Sequence, residues 1–580
     1  MNLVRRLSVA VSVLAVLLAA SSAVADDHDW HQKGRHIQRV LLISIDGMHA
    51  VDFLNCASGI PGVNNGAPYC PNLAALASTG VNYVAASTSK PSDSYPGMAA
   101  IITGGSPAFT GVYYDVAYSR NYDGPAVAAG TGLGSGYNIP GPCTPGAAPT
   151  GFTTEYDEGI DIDYTQLNGG APGASLTDGG INSLDPQKIV RDPANGCQPV
   201  WPWLFVRANT IFSVIHQNGG LTAWSDKHPS YASVSSGVGP SALNDFYSPE
   251  INSNVVNLPG VTTPTGLSCT SIPDKGADLT AWTNSFQNIQ CYDTLKVNAV
   301  LNWIDGKKHL GNGNLPGVPN IFGMNFQAVS VGQKLIEKSN DTTGGYLDAA
   351  ATPGAALFGE FQFVDVSIGE FVSELKKQGL FDSTLIVITA KHGQSPIDPS
   401  RYISQLINYT SPATLLSNAG YIPYSESTNN PNGIGPTEDD VSLLWLNSSS
   451  NTLPAVQILE NNASATGIAL GQIYYGPTLS LNYNDPTQDP RTPDIIVTPN
   501  VGVTYSGSTS KLAEHGGFSH DDTNVVLLVS NPRFHPRTVK AAVGTAQVAP
   551  TILGALGIDP WALDAVRAEG TPVLPDLDLR

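Results

Sequence analysis

Positive charge is scarce in this sequence. Lys and Arg number 28 against 48 Asp and Glu in 580 residues, a formal net charge of −20. Without Lys/Arg clusters the chain cannot neutralise a run of phosphates, so binding of duplex nucleic acid is not expected. Long apolar runs are also missing beyond the N-terminus, and no later segment is apolar enough to cross a bilayer. No C-x-x-C pair occurs among Cys56, Cys70, Cys143, Cys197, Cys269 and Cys291, which weakens a zinc-ribbon reading. There is no internal repeat.

The chain opens with a leader. Arg5-Arg6 precede an apolar run from Leu7 to Ala20, and Ala23-Val24-Ala25 comes after it. A basic start, a short apolar stretch and an A-x-A site predict a secretory signal peptide over residues 1–25. The run is short for a membrane anchor. The mature chain is then periplasmic or extracellular, with no membrane span. An even cysteine count in an exported chain favours disulfides. Proximity along the chain suggests Cys56–Cys70, Cys143–Cys197 and Cys269–Cys291, one of fifteen possible connectivities.

Gly (59) and Pro (43) are abundant, so long loops are expected on a scaffold. Apolar strands and helical stretches alternate. Strands are predicted over 38–45, 81–86, 221–224, 320–326, 383–390, 494–498 and 524–530. Helices are predicted over 71–78, 202–218, 293–305, 355–379 and 545–556. Irregular composition marks excursions at about 117–200, 235–280 and 398–490. Several strands end in Asp, Lys or His. That pattern predicts an α/β fold, a doubly wound sheet with helices on both faces and a polar site along its carboxyl edge.

Between these elements lies T-S-K-P-S-D-S-Y-P-G-M-A-A-I-I-T-G-G, residues 88–105. It is polar at first, then apolar, then stops at two glycines. It reads as a helix with Ser94 at its N-cap and Pro96 in its first turn. There a serine meets the positive end of the helix dipole, which favours an anion such as phosphate or sulfate. Capping alone also explains a serine at this place. The other strand-end residues are Asp46, Asp226-Lys227-His228, Asn325, Lys391-His392 and His515. Carboxylate with imidazole suits a divalent transition metal, most often zinc. Such an ion beside Ser94 would lower its hydroxyl pKa.

These residues resemble the alkaline phosphatase superfamily, in its type I phosphodiesterase/nucleotide pyrophosphatase branch. L-L-I-S-I-D-G matches the strand that ends in the family's first metal aspartate, here Asp46. K-P-S-D-S-Y-P-G matches the nucleophile motif, with Ser94 where the family has Thr or Ser. G-L-F-D-S-T-L-I-V-I-T-A-K-H-G matches a strand ending in Asp-His-Gly, and E-H-G-G matches the late His-Gly motif. The closing V-A-P-T-I-L-G-A-L-G also fits. The resemblance implies one domain over 26–580, with the excursions as loop or cap insertions. It implies a hydrolase of phosphate esters, diesters or nucleotide pyrophosphates foremost, acting on a small phosphorylated substrate through a Ser94 phospho-enzyme. Phosphomonoesters, phosphonates and sulfate esters suit the same scaffold. Met98 stands where sulfatases carry Arg. The implied metal ligands are Asp46, His392 and His515.

The departures are specific. Asn325 and Val329 stand where the family has Asp-x-x-x-His, and Lys391 stands where it has Asp. A lysine ammonium cannot ligate a metal, but it can replace one ion's charge beside a substrate oxyanion. Lys227 and His228 are expected to help bind substrate, along with Asn325. With three ligands missing, one metal ion, two weakly held ions, or a catalytically silent oxyanion-binding protein are all compatible with the sequence. Asp365 is expected to cap or brace. His520, Asp521 and Asp522 read equally as a turn or as groups behind His515. Asn408, Asn447 and Asn462 lie in N-x-S/T sequences.

Overall fold

Arg39–Ile45 (β1) is apolar on both faces, and the fold buries it on both. Leu41, Ile43 and Ile45 point into one core, and Val40 and Leu42 into another. This two-sided burial is what a continuous Val/Ile/Leu run demands of a strand. The computed structural model describes residues 37–127, 141–156, 181–251, 261–269, 282–423 and 437–579. The expected leader, residues 1–25, lies outside the described residues, as do parts of all three excursions.

Five further strands complete a six-stranded central sheet: Gly80–Tyr83 (β2), Ile321–Phe326 (β3), Thr384–Thr389 (β4), Leu528–Ser530 (β5) and Arg537–Val539 (β6). Their order is β3-β1-β4-β5-β2-β6. On one face pack Phe286–Ile304 (α2), Ala328–Lys334 (α3) and Ala355–Lys377 (α4); on the other pack Ser94–Thr103 (α1) and Val548–Ala555 (α5). The architecture is the expected α/β sandwich of helices about a sheet.

The sheet is mixed. β3, β1 and β4 are parallel, while β5 is antiparallel to both β4 and β2. A parallel strand needs a crossover of a dozen or more residues before it. β5 has none, because residues 514–523 already lie at the site edge, where Gly393 N donates to Asp522 O at 2.7 Å. The chain can only run back down from there.

Register sets the geometry at the carboxyl edge. Ser44 lies opposite both Asn325 and Thr389. Asp46 and Lys391, each two residues further on, therefore leave the sheet side by side.

Some predicted elements shift. The stretch 202–218 is two short helices, Pro202–Phe205 and Ile211–Gln217. Val206 is extended, and Thr210 caps the second helix at Ser213 N. α2 starts seven residues earlier than expected, capped by Ser285. The strand expected over 494–498 lies at Ile495–Pro499 in a separate three-stranded sheet with Ser442–Leu444 and Leu470–Tyr475. Asp365 braces, as expected: its carboxylate accepts from Asn72 N (3.1 Å) and Leu73 N (2.8 Å) at the start of the helix Pro71–Ala77. Disulfides join Cys143–Cys197 and Cys269–Cys291. Cys56 and Cys70, expected to pair, are buried free thiols. Among the described residues no helix is long and apolar enough to cross a membrane.

Candidate active site

Asp46 is the hub, and it is fully buried. Its Oδ1 accepts from Asn325 Nδ2 at 2.8 Å, and its Oδ2 accepts from Gln327 Nε2 at 2.6 Å. Lys391 Nζ and His392 Nε2 each lie 3.6 Å from Oδ2. Burial alone would raise its pKa. The charges of Lys391, His392 and Lys227 outweigh burial and hold the carboxyl well below the usual range.

Lys391 is equally buried. Its ammonium donates to Asp226 Oδ1 at 2.9 Å and lies 4.1 Å from the centre of the Tyr231 ring. Asp226 also accepts from Trp224 Nε1 (3.1 Å) and Lys227 N (2.9 Å). A buried ammonium needs such partners, because transfer from water is otherwise prohibitive.

Ser94 is the first residue of α1, and the cap is Asp93, not Ser94. Asp93 Oδ2 accepts from Tyr95 N at 3.4 Å and from Asp115 N at 2.9 Å. The shift frees the Ser94 hydroxyl, which receives a hydrogen bond from Lys227 Nζ at 2.9 Å. α1 lies hard against β4: a Cβ on Gly97 would come within 2.0 Å of Lys391 O. Only glycine permits that approach, so the P-G of the motif sets the distance between Ser94 and Lys391.

His392 Nδ1 donates to Gly393 O at 2.8 Å, which leaves Nε2 on the Asp46 side. Its ring centre is 4.1 Å from that of His515. Burial, reinforced by His392 and Lys334, pushes the His515 pKa well below its ordinary value, so the ring is neutral. His228 is also neutral: burial and the neighbouring Lys227 lower its pKa well below normal. Its Nδ1–H donates to Glu250 at 2.8 Å.

Beneath Asn325 lies a layer that sequence reasoning missed. Lys296 Nζ donates to Asn325 O at 2.5 Å and pairs with Asp293 at 2.9 Å. Asp293 Oδ2 in turn accepts from Gln327 N and Ala328 N, at 2.8 and 2.9 Å. This fixes the turn that aims Asn325 and Gln327 at Asp46. The only sequence signal was an Asp and a Lys three apart on a helix, which more often marks an exposed face.

All eight predicted residues thus converge on one region, with Lys227 in contact with the serine. Asp521 serves the fold: its carboxylate accepts from Ile397 N at 3.0 Å. Above the site opens a cleft of about 690 Å³, lined among others by Lys227, His228, His515 and Lys334. Glu438, Asp439 and Tyr505 close its other wall, part of it drawn from the 398–490 stretch.

The residues do not fit a two-metal centre. Asn325 gives its amide N–H to Asp46, Val329 is buried in the apolar core, and Lys391 brings an ammonium to the place of a carboxylate. Both Asp46 oxygens are taken by amide donors. Among the described residues no group of three or more His, Cys, Asp or Glu is placed to hold a metal ion.

A search of curated proteins finds no match. Among solved structures, murine ectonucleotide pyrophosphatase/phosphodiesterase 5 is similar at 14% identity, covering 90% of this chain and 96% of that one, with a TM-score of 0.48. An inactive form of the murine protein in complex with AMP gives 13%, the same coverage and 0.48. The human protein gives 14%, 90% and 95%, and 0.49. The type I phosphodiesterase / nucleotide pyrophosphatase family matches residues 40–129 and 245–521. Those spans hold Asp46, Ser94, Asn325, Lys391, His392 and His515. The chain therefore belongs to the type I phosphodiesterase / nucleotide pyrophosphatase family of the alkaline phosphatase superfamily, and with it to the phosphoric ester hydrolases.

Proposed function

We propose that the chain is an exported phosphodiesterase that works through a phosphoserine on Ser94, with Lys227 and Lys391 supplying positive charge that the family draws from metal ions. The observation that carries this reading is the 2.9 Å contact of Lys227 Nζ with Ser94 Oγ, beside the buried Lys391 ammonium. Ser94 Oγ attacks phosphorus in line and loses its proton. The bond to the leaving alcohol breaks, and the alcohol takes up a proton. Water then attacks the phosphoserine, restoring the hydroxyl and releasing a phosphomonoester. Lys227 stabilises the developing charge on Oγ, and Lys391, anchored by Asp46 and Asp226, raises the local potential for the phosphoryl oxygens. His228 and Asn325 border the substrate. The volume of the cleft suits a small diester or a nucleotide pyrophosphate. The basic and apolar leader and the two disulfides support export.

A second reading places one divalent ion, zinc by donor type, on Asp46, His392 and His515. The 3.6 Å approach of His392 to Asp46 and the 4.1 Å spacing of the two rings favour it, but these three groups are not placed for an ion as they stand, so binding would require Asp46 to give up its bonds to Asn325 and Gln327. Bound there, an ion would act as a Lewis acid toward a substrate oxygen.

One experiment separates them: elemental analysis of the purified mature protein, with hydrolysis of a chromogenic phosphodiester before and after chelation. Turnover that survives chelation, with a burst of leaving group that disappears in Ser94→Ala, supports the lysine reading. Turnover tied to about one zinc per chain supports the second. Tight oxyanion binding without turnover, even after zinc is restored, leaves neither and marks an oxyanion-binding protein. A full burst in Ser94→Ala removes Ser94 as nucleophile.

A further inference from the structure

Asp93 caps a helix, yet its carboxylate is fully buried and spans three segments. One oxygen accepts from Asp115 N and Tyr95 N. The other, Oδ1, lies 3.3 Å from His515 Nδ1. That nitrogen is buried, and the approach is a close pairing without the alignment of a hydrogen bond in this structure. Backbone bonds hold the two segments in register: Gly516 N donates to Ser92 O at 2.8 Å, and Ser92 N donates to Gly517 O at 3.3 Å. Gly516 has φ +101°, and a Cβ there would meet Tyr114 Oη at 2.2 Å, so the turn presenting His515 accepts only glycine.

We propose that Asp93 is the positioning residue that sets the tautomer and orientation of His515 and couples that ring to the nucleophile helix. A carboxylate only accepts, so the nitrogen facing it carries the proton. Nδ1 is then N–H, and Nε2 keeps its lone pair for the reaction. The ring is held from its other face by His392. One carboxylate therefore fixes both the start of the helix that carries Ser94 and the imidazole beside it. A shift of either moves the other. The arrangement serves both readings of the site, because a free Nε2 lone pair is equally what a ligand or a proton acceptor requires.

The kinetic arm of the test rests on the proposed phosphodiesterase reading, and the spectroscopic arm does not. Asp93→Asn keeps an acceptor oxygen for Asp115 N and Tyr95 N but turns an NH₂ toward His515. The ring must then present a lone pair at Nδ1 and carry its proton on Nε2. The protein labelled with ¹⁵N-histidine is compared with Asp93→Asn by long-range ¹H–¹⁵N correlation, with His515→Gln assigning the signal. The expected result is an Nδ1–H pattern in the parent and an Nε2–H pattern in the variant, with unchanged thermal stability. In turnover, kcat falls about 10- to 100-fold while KM stays within about twofold. An unchanged His515 pattern overturns the proposal whether or not any diester is hydrolysed. A changed pattern with full kcat removes the coupling to catalysis. Should Asp93→Asn lose its fold, an Nε2–H pattern for His515 in the parent protein overturns the proposal by itself.

Discussion

Replacing Lys227 by Met tests the charge on the serine most directly. Its Nζ lies 2.9 Å from Ser94 Oγ. Two unit charges at that distance, at an effective dielectric of about 20, attract by about 6 kcal/mol. In the proposed phosphoserine mechanism the serine oxygen gains only part of a charge in the transition state, so about half of this is available, close to the value of one oxyanion-hole donor. About 3 kcal/mol corresponds to a loss in kcat of about 10²-fold. Stability should change little. The hydrogen bond to Ser94 is worth about 1 kcal/mol, and the Lys227 N–H to Asp226 persists. Lys227→Arg should recover part of the rate, since it restores charge with a fork of different reach. Steady-state hydrolysis of a chromogenic phosphodiester, read beside thermal melts, gives the answer. A Lys227→Met enzyme with kcat within threefold of the parent would refute the reasoning. A rise in KM alone would return Lys227 to substrate binding.

Two predictions concern stability. Glu360 is buried beside Gln290, Asp293 and Glu337, and burial raises its pKa well above the ordinary value. It is protonated when folded and ionised when unfolded at neutral pH, so it costs stability as pH rises above the unfolded pKa. Glu360→Gln should stabilise by about 1–2 kcal/mol at pH 8 and hardly at all at pH 4, in denaturant titrations at both; equal gains at the two pH values would contradict this. Asp489 behaves oppositely. Arg207 grips it at 2.7 Å through both oxygens, and its pKa falls to about 2 although burial opposes the change. Its contribution is full above pH 4 and disappears as pH falls through about 2. Asp489→Asn should cost about 1–2 kcal/mol at pH 7, discounted for the exposure of Arg207, and nothing near pH 2. A cost that persists at pH 2 would point to packing instead.

What could be read in the sequence was local. β1 and β4 announce themselves as apolar runs that break at a charged residue, so Asp46, Lys391 and His392 were visible as strand-end groups. The Ser94 helix was visible in its glycines and prolines. What could not be read was contact across the chain. Lys227 reaches Ser94 over 133 positions, and Lys296 supports Asn325 from a different element. Gln327 reads as no more than the first residue after a strand, yet its amide lies on Asp46. Asp93 is hidden by its neighbour within the motif, because Ser and Asp cap equally well and only backbone geometry chooses between them. Cys56 and Cys70 look pairable by spacing alone, yet spacing carries no information on whether two thiols in one core have joined.

The Lys391 ammonium is part of the polypeptide. β1, β4 and the 224–227 turn bring it between Asp46 and Asp226 in the act of folding, so this charge arrives with the chain and at fixed stoichiometry. It needs no uptake step after translation, and no scarcity in the surroundings can leave the position vacant. The same permanence removes a freedom: its strength cannot be retuned by exchanging one ion for another, and only mutation can alter it.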